Sequence, residues 1–179
     1  MKVQILLPNV EIPENVIIPA QCHGDRIVEI VTGEENLSGT DALITRLPRT
    51  PLGVRTADCA AICFQDSEKI GIAHVGWRGL SAGLVQKMLH EFDNPTIMVG
   101  PCIDEFEIQK DACYETIVNA MGLKFIDERE GKHIFRFRDA IRVLIPHATF
   151  DARNTFIEPE LPSFRRDKTA DRMVTVITM

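Results

Sequence analysis

The sequence predicts an α+β fold made of one domain, in which mixed β-sheet layers are flanked by helices. Strand-like segments outnumber helical ones along the chain, and the two kinds do not alternate regularly as they do in a doubly wound parallel fold. The 179 residues, 45% of them hydrophobic, are enough to bury one sizeable core. We therefore expect residues 1–179 to form a single domain.

Short apolar or β-branched runs, bounded by turn-forming residues, predict the strands. In chain order these runs are Val3–Leu7, Arg26–Val31, Ala42–Thr45, Cys59–Phe64, Ile70–His74, Thr96–Val99, His133–Phe137 and Met173–Thr178.

Apolar residues at helical spacing predict two helices. The first runs from Ser81 to Phe92, with Ser81 as its N-terminal cap. The second runs from Lys110 to Met121, and Gly122 is a suitable C-terminal stop. A weaker pattern predicts a third helix over Arg138–Ile145.

The charge pattern argues against partners that need a basic face or a membrane span. The 26 acidic and 20 basic residues give a net charge of −6, without a block of basic residues for binding nucleic acid. No apolar run has the length of a membrane-spanning helix, and the N-terminal apolar patch is too short for a signal peptide. We therefore expect a cytoplasmic protein. These observations do not determine its oligomeric state, for which a monomer is the simplest expectation.

The five cysteines are better explained as free thiols or metal ligands than as a disulfide framework. Their number is odd and no two of them have C-x-x-C spacing. They are Cys22, Cys59, Cys63, Cys102 and Cys113.

The segment Thr56–Gly79 carries the strongest functional signal. Cys59 opens one predicted strand and His74 closes the next, and the polar residues 65–69 between them suit a hairpin. In an antiparallel pair the thiol and the imidazole would meet at one end of the sheet. Such a pair suits either a metal site or nucleophilic catalysis.

His23, in the sequence QCHG, is the third candidate ligand. Two histidines and one cysteine would leave a tetrahedral zinc ion one open position, as in catalytic zinc sites. The three residues come from separate segments, so their spacing alone leaves open that each is structural. Cys63, Cys102, Cys113, His90, His133 and His147 are interpreted as structural residues.

Glycines follow His74 and lead into the first predicted helix. Gly76, Gly79 and Gly83 could leave backbone N–H groups free for an anion, with Arg78 as a partner, or could simply allow close packing of Trp77. Arg55 and the pair Arg165–Arg166 could form surface ion pairs or contact a substrate anion.

Several motifs together resemble the bacterial YfiH/YlmD family, also called the laccase-domain or multicopper polyphenol oxidase family. They are QCHGD, RTADCAAICFQD, GIAHVGWRG, MVGPCI and the C-terminal SFRRD, and the resemblance covers the chain from about Gln21 onward. It implies an α+β fold that has been compared with deamidating bacterial toxins. It also implies a zinc enzyme that catalyses the phosphorolysis of adenosine, inosine, guanosine and methylthioadenosine, and the deamination of adenosine.

The resemblance maps the zinc ligands onto His23, Cys59 and His74, which would also be the catalytic residues. Purine nucleoside and phosphate are then the expected partners, with Arg78, Gly76 and Gly79 contacting substrate. The chain departs from typical members because it begins near the QxHG motif, without their N-terminal segment, and because Asp104–Ile108 replaces their usual residues. We therefore expect an intact metal site in a reduced pocket, with Asp58 or Glu107 as candidate proton carriers.

Two other functions remain open at the level of sequence, and a third is excluded. A metal-free cysteine hydrolase or deamidase would use Cys59 as nucleophile and His74 as base. A non-catalytic zinc-binding remnant would keep the ligands without turnover. A multicopper oxidase is excluded because it needs more histidine ligands than the five in this chain, although copper could still replace zinc at the same site.

Overall fold

The computed structural model describes all 179 residues and shows a six-stranded mixed sheet between a layer of helices and a smaller sheet. The strands are β1 (Lys2–Leu6), β2 (Ile27–Ile30), β3 (Ala42–Thr45), β4 (Leu52–Thr56), β5 (Ala60–Gln65), β6 (Ile70–Val75), β7 (Thr96–Val99), β8 (Phe106–Ile108), β9 (Ile126–Arg129), β10 (Lys132–Phe135), β11 (Thr149–Phe150) and β12 (Met173–Thr178). The helices are α1 (Trp77–Ser81), α2 (Leu84–His90), α3 (Ala112–Met121), α4 (Phe137–Leu144) and α5 (Phe164–Asp167).

The large sheet has the strand order β11-β7-β5-β6-β3-β2, with antiparallel pairs at its centre and a parallel pair at each edge. Two three-stranded antiparallel sheets, β1-β12-β4 and β8-β10-β9, complete the domain. The predicted α+β fold with mixed sheets is confirmed. No helix is both long and apolar enough to cross a membrane.

The two faces of the large sheet bury two separate hydrophobic clusters. Along β5, Ile62 and Phe64 pack into the cluster on the helical side, whereas Ala61 and Cys63 pack against the sheet that contains β4 and β12. This alternation is the period-2 pattern of a strand buried on both faces. The sheet is therefore held from both sides, and its strand ends are rigid supports for side chains.

The predicted helix Ser81–Phe92 is wrong in detail, because the structure divides this region into α1 and α2. Gly83 has a φ of 80°, a left-handed conformation that ends the first helix and precedes the second. Ser81 is the last residue of α1 and caps neither helix. Leu84 and Met88, which follow the break, still pack into the core. The apolar spacing in the sequence therefore did not reveal that the helix is divided.

Candidate metal and substrate site

The β5–β6 hairpin brings Cys59 and His74 to the same end of the large sheet. The two strands are antiparallel, with Ala61 directly opposite His74, and Cys59 immediately precedes β5. Side chains two residues apart on a strand point to the same face of the sheet, and directly opposite residues also share a face. Cys59 therefore lies on the same face as Ala61 and His74. The hairpin predicted from the sequence is confirmed, and His74 is only 3% exposed.

His23 reaches the same point from the loop that precedes β2. Its φ is 64°, a left-handed conformation uncommon for a residue other than glycine. Its ring packs edge-on against that of His74, with the ring centroids 4.7 Å apart. The candidate ligand atoms of His23, Cys59 and His74 all lie within 4.8 Å of one another, and no other histidine joins this cluster.

The chemistry of this donor set fits a zinc ion. Ligand atoms of a tetrahedral zinc site are about 3.5 Å apart, so small side-chain movements would close the three residues around the metal. Burial raises the pKa of the Cys59 thiol to about 12, and the nearby Asp58 adds to the effect. Metal coordination would deprotonate such a thiol, whereas a metal-free nucleophilic cysteine requires a lowered pKa. Desolvation, with His74 beside it, lowers the pKa of His23 and so favours its neutral, ligating form.

Asp41, immediately before β3, is a site residue that sequence reasoning missed. Its side chain is fully buried, and its Oδ1 lies 2.8 Å from Nδ1 of His74. Burial by itself would raise the pKa of Asp41, but hydrogen bonds from His74, Gly24 and Cys22 hold this pKa well below its usual range. A single aspartate before an apolar strand has no distinctive sequence pattern, because its partners lie in two other segments.

The candidate ligands open onto a cavity of about 650 Å³ that combines aromatic and cationic side chains. The aromatic residues are Trp77, Phe106, Phe137 and Phe164, and the cationic ones are Arg55, Arg78, Arg165, Lys168 and Arg172. An apolar wall with a few charged groups is typical of small-molecule sites. Aromatic faces suit a planar base, and the cations suit an anion.

None of the five cavity cations forms an ion pair with a carboxylate, although ion pairs are frequent elsewhere on the molecule. Arg78 lies over Trp77, 4.8 Å from the ring centroid, and Arg165 lies over Phe106 at 3.7 Å. Burial lowers the pKa of Arg165. Arg166, in contrast, turns away and pairs with Asp167 at 2.7 Å.

Asp58 and Glu107, considered as proton carriers, have other partners. Asp58 lines the cavity, but its two oxygens accept hydrogen bonds from Thr155 Oγ1, Ser163 Oγ and the backbone N–H of Arg165. Glu107 does not line the cavity, and its carboxylate lies 3.0 Å from Nζ of Lys132. Neither geometry indicates proton transfer to a substrate.

The glycines after His74 serve mainly close packing. Gly76 lines the cavity, and a Cβ there would lie 3.1 Å from both Cys59 Sγ and His23 Cδ2. Gly79 lies inside α1 and away from the cavity, where a Cβ would lie 2.7 Å from the backbone oxygen of Gly24. Helix α1 has only five residues, too few for a strong anion-binding dipole at its N-terminus.

Curated relatives resemble the chain over most of its length. A purine nucleoside phosphorylase from Aquifex aeolicus is 34% identical over 93% of this chain and 84% of the relative. Purine nucleoside phosphorylase YfiH from Escherichia coli is 29% identical over 93% of this chain and 74% of the relative. A prokaryotic protein named adenosine deaminase RL5 is 31% identical, but the match covers 53% of this chain and 44% of that protein.

Solved structures share the fold. The Bacillus licheniformis protein YfiH superposes with a TM-score of 0.80 at 25% identity, covering 92% of this chain and 74% of the other. YlmD from Geobacillus stearothermophilus superposes with a TM-score of 0.79 at 21% identity, covering 92% of this chain and 73% of YlmD. At this identity the likeness supports the fold alone.

The fold and the clustered ligands define an α+β protein with a candidate metal site at the edge of a cationic cavity. The family model described as multi-copper polyphenol oxidoreductase laccase matches residues 2–179, and the chain belongs to this family. The match begins well before Gln21, where the motifs alone placed the start of the resemblance.

Proposed function

We propose that this chain is a zinc-dependent purine nucleoside phosphorylase that also deaminates adenosine. The observation that carries the proposal is the convergence of three candidate metal ligands and five unpaired cations on one aromatic cavity. The names of the Aquifex and Escherichia relatives support the phosphorylase activity, and that of the third relative supports deamination. Adenosine, inosine, guanosine and methylthioadenosine are the proposed substrates.

Zinc held by His23, Cys59 and His74 would supply a Lewis acid that polarises an oxygen or a leaving group. The remaining tasks fall to the protein. Trp77 and Phe106 would pack against the purine, and the cations would hold phosphate beside the ribose. In phosphorolysis a phosphate oxygen bonds to C1′ while the bond from C1′ to the purine nitrogen breaks, and the base takes up a proton. In deamination water replaces the amino group, which leaves as ammonia.

The cavity cations would contribute by stabilising charge in a partly desolvated site. Arg78 and Arg165 are each stacked on an aromatic ring, which orients the guanidinium without neutralising it. A guanidinium can hold two phosphate oxygens at once, which fixes the direction of attack. Preorganised charges of this kind are commonly the largest single contribution to catalysis.

The test is to incubate metal-replete protein with adenosine, with and without phosphate, and to resolve the products. We expect adenine only when phosphate is present and inosine in both conditions. Cys59→Ala should abolish zinc binding and both reactions. Cys63→Ala is the matched control, because Cys63 is buried on β5 but outside the ligand cluster, and it should keep both properties. Protein with stoichiometric zinc and neither product would contradict the proposal and favour a zinc-binding remnant.

A metal-free cysteine hydrolase is the second candidate. Asp41 is hydrogen-bonded to His74, and His74 lies beside Cys59, as the acid, base and nucleophile of a catalytic triad do. The raised pKa of Cys59 and the presence of His23 argue against it. Elemental analysis of protein purified without chelator separates the two. Absence of zinc, together with rapid alkylation of Cys59 by iodoacetamide at neutral pH, would favour the hydrolase.

A further inference from the structure

One buried carboxylate contacts both histidine-bearing segments of the candidate metal site. Asp41 is 0% exposed, and nearly all of its polar contacts go to residues at or beside the ligands. Its backbone oxygen also accepts the N–H of His74, at 2.7 Å. Asp41 therefore touches His74 through both its main chain and its side chain.

On one side the carboxylate is enclosed by three successive backbone N–H groups. Those of Cys22 and Gly24 donate to Oδ2, at 3.2 and 2.7 Å, and that of His23 donates to Oδ1 at 2.9 Å. Successive N–H groups converge in this way when the chain passes through the left-handed region, as it does at His23. The carboxylate thus stabilises the unusual backbone that directs His23 toward the cluster.

On the other side the same Oδ1 accepts from Nδ1 of His74 at 2.8 Å. A proton fixed on Nδ1 leaves Nε2 unprotonated, which is the form that binds a metal. The edge-on contact of the His23 and His74 rings shows that the two imidazoles are already mutually oriented. One side chain therefore orients the backbone of one ligand and the ring of another.

We propose that Asp41 is a positioning residue that sets two of the three metal ligands at once, His23 through its backbone and His74 through its ring nitrogen. The inference rests on the metal site of the proposed function, but not on which reaction that site performs.

The isosteric substitution Asp41→Asn separates this role from simple packing. If the amide oxygen takes the Oδ1 position, the NH₂ group takes the Oδ2 position and faces the N–H groups of Cys22 and Gly24. All of these groups are donors, so both hydrogen bonds are lost. If the amide is reversed, the NH₂ group faces Nδ1 of His74 and draws the imidazole proton to Nε2, where it blocks metal binding. The first orientation keeps both hydrogen bonds at the Oδ1 position but loses those from Cys22 and Gly24, which hold the backbone on either side of His23. The second loses the hydrogen bond from His74, so neither orientation fully supports both the His23 backbone and the His74 ring.

The experiment measures the zinc dissociation constant of wild type and variant by competition with a chromophoric chelator. Loss of a group that orients metal ligands typically weakens metal binding by about 10–100-fold, and we expect a loss in this range for Asp41→Asn. Asp66→Asn is the matched control. The Asp66 carboxylate also accepts three backbone N–H groups, those of Glu68, Lys69 and Asp93, but it lies outside the ligand cluster. It should lower stability without changing zinc affinity.

A second measurement reports on His74 directly. Long-range ¹H–¹⁵N correlation spectra of metal-free protein, recorded where imidazoles are neutral, distinguish the two tautomers. We expect the His74 proton on Nδ1 in wild type and in Asp66→Asn, and a shift toward Nε2 in Asp41→Asn. A folded Asp41→Asn protein with wild-type zinc affinity and an unchanged tautomer would overturn the inference. Wild-type protein that binds no zinc would instead overturn the proposed metal site.

Discussion

A single methyl group at position 76 would lie against the candidate metal site. Gly76 has φ −95° and ψ 178°, a backbone conformation that alanine adopts without strain. The added Cβ would nevertheless lie 3.1 Å from Cys59 Sγ and from the His23 ring, so both ligands would have to shift. We expect Gly76→Ala to weaken zinc binding about tenfold, as displaced ligand supports commonly do, with a smaller effect on stability. Chelator competition and thermal denaturation measure the two effects.

Gly100→Ala provides the control for this prediction. The nearest atoms to its added Cβ, Thr175 Oγ1 and the backbone oxygen of Ala61, lie at 3.5 and 3.6 Å, which are ordinary contact distances. It should leave zinc affinity unchanged. Equal zinc affinities in the two variants would show that the space beside Cys59 is not required by the metal ligands.

The candidate site was predictable from the sequence wherever local pattern determines geometry. Cys59 and His74 flank one hairpin, so strand periodicity was enough to bring them together. His23 was a candidate by residue type, but its left-handed backbone and its contact with His74 depend on the fold. Asp41 could not be recognised, because its function lies in contacts with two other segments.

At the level of secondary-structure elements, Asp58 connects the short helix α5 to the loop that carries Cys59 through hydrogen bonds. It accepts hydrogen bonds from Ser163, the N-cap of α5, at 2.7 Å and from the N–H of Arg165 at 2.7 Å. Helix α5 and the residues after it supply Arg165, Lys168 and Arg172 to the cavity. The Asp58 carboxylate therefore links the position of these cations to that of Cys59.

Asp58→Asn tests this dependence. Asparagine tolerates the left-handed φ of 86° at this position, so the backbone should be retained. One of the two accepting oxygens is lost, at a cost of about 1.5–3 kcal/mol for hydrogen bonds to a charged group. We expect the KM for phosphate to rise about tenfold while zinc affinity stays near wild type. A loss of kcat with an unchanged KM would instead indicate that Asp58 transfers a proton.

The fold was predictable where elements are long and regular. Gly122, with a φ of 83°, follows α3 as its sequence position indicated, and α4 differs from its prediction by one residue at each end. The missed strands β4, β8, β9 and β11 are short or carry charged residues, and all of them except β9, which pairs with the adjacent β10, have pairing partners far along the chain. Such strands are stabilised by the sheet rather than by their own sequence.

On the scale of the whole molecule, the charge around the cavity is opposite in sign to the net charge of the protein. The protein carries a net charge of −6, yet the cavity beside the candidate ligands is lined by five cations, and its one acidic lining residue, Asp58, accepts hydrogen bonds from three donors. An acidic exterior with a cationic cavity concentrates anions at the site rather than over the surface. Anion binding should therefore weaken as salt rises, because the Debye length falls from about 10 Å at 0.1 M to about 3 Å at 1 M.

Arg78 is the cation best suited to test whether the positive charge of the cavity acts on the substrate. It is exposed, it forms no ion pair, and its aromatic contact is with Trp77 beside it in α1, so its removal should disturb the fold little. Since a hydrogen-bonded charge contributes about 1.5–3 kcal/mol, we expect Arg78→Gln to raise the KM for phosphate tenfold or more and to reduce its salt dependence. The control is Arg46→Gln, which removes an equal charge that is paired with Glu29 and Glu68 outside the cavity. Steady-state kinetics at low and high salt distinguish the two variants. An equal change in both would mean that only net charge matters, and that the cavity cations do not hold the phosphate.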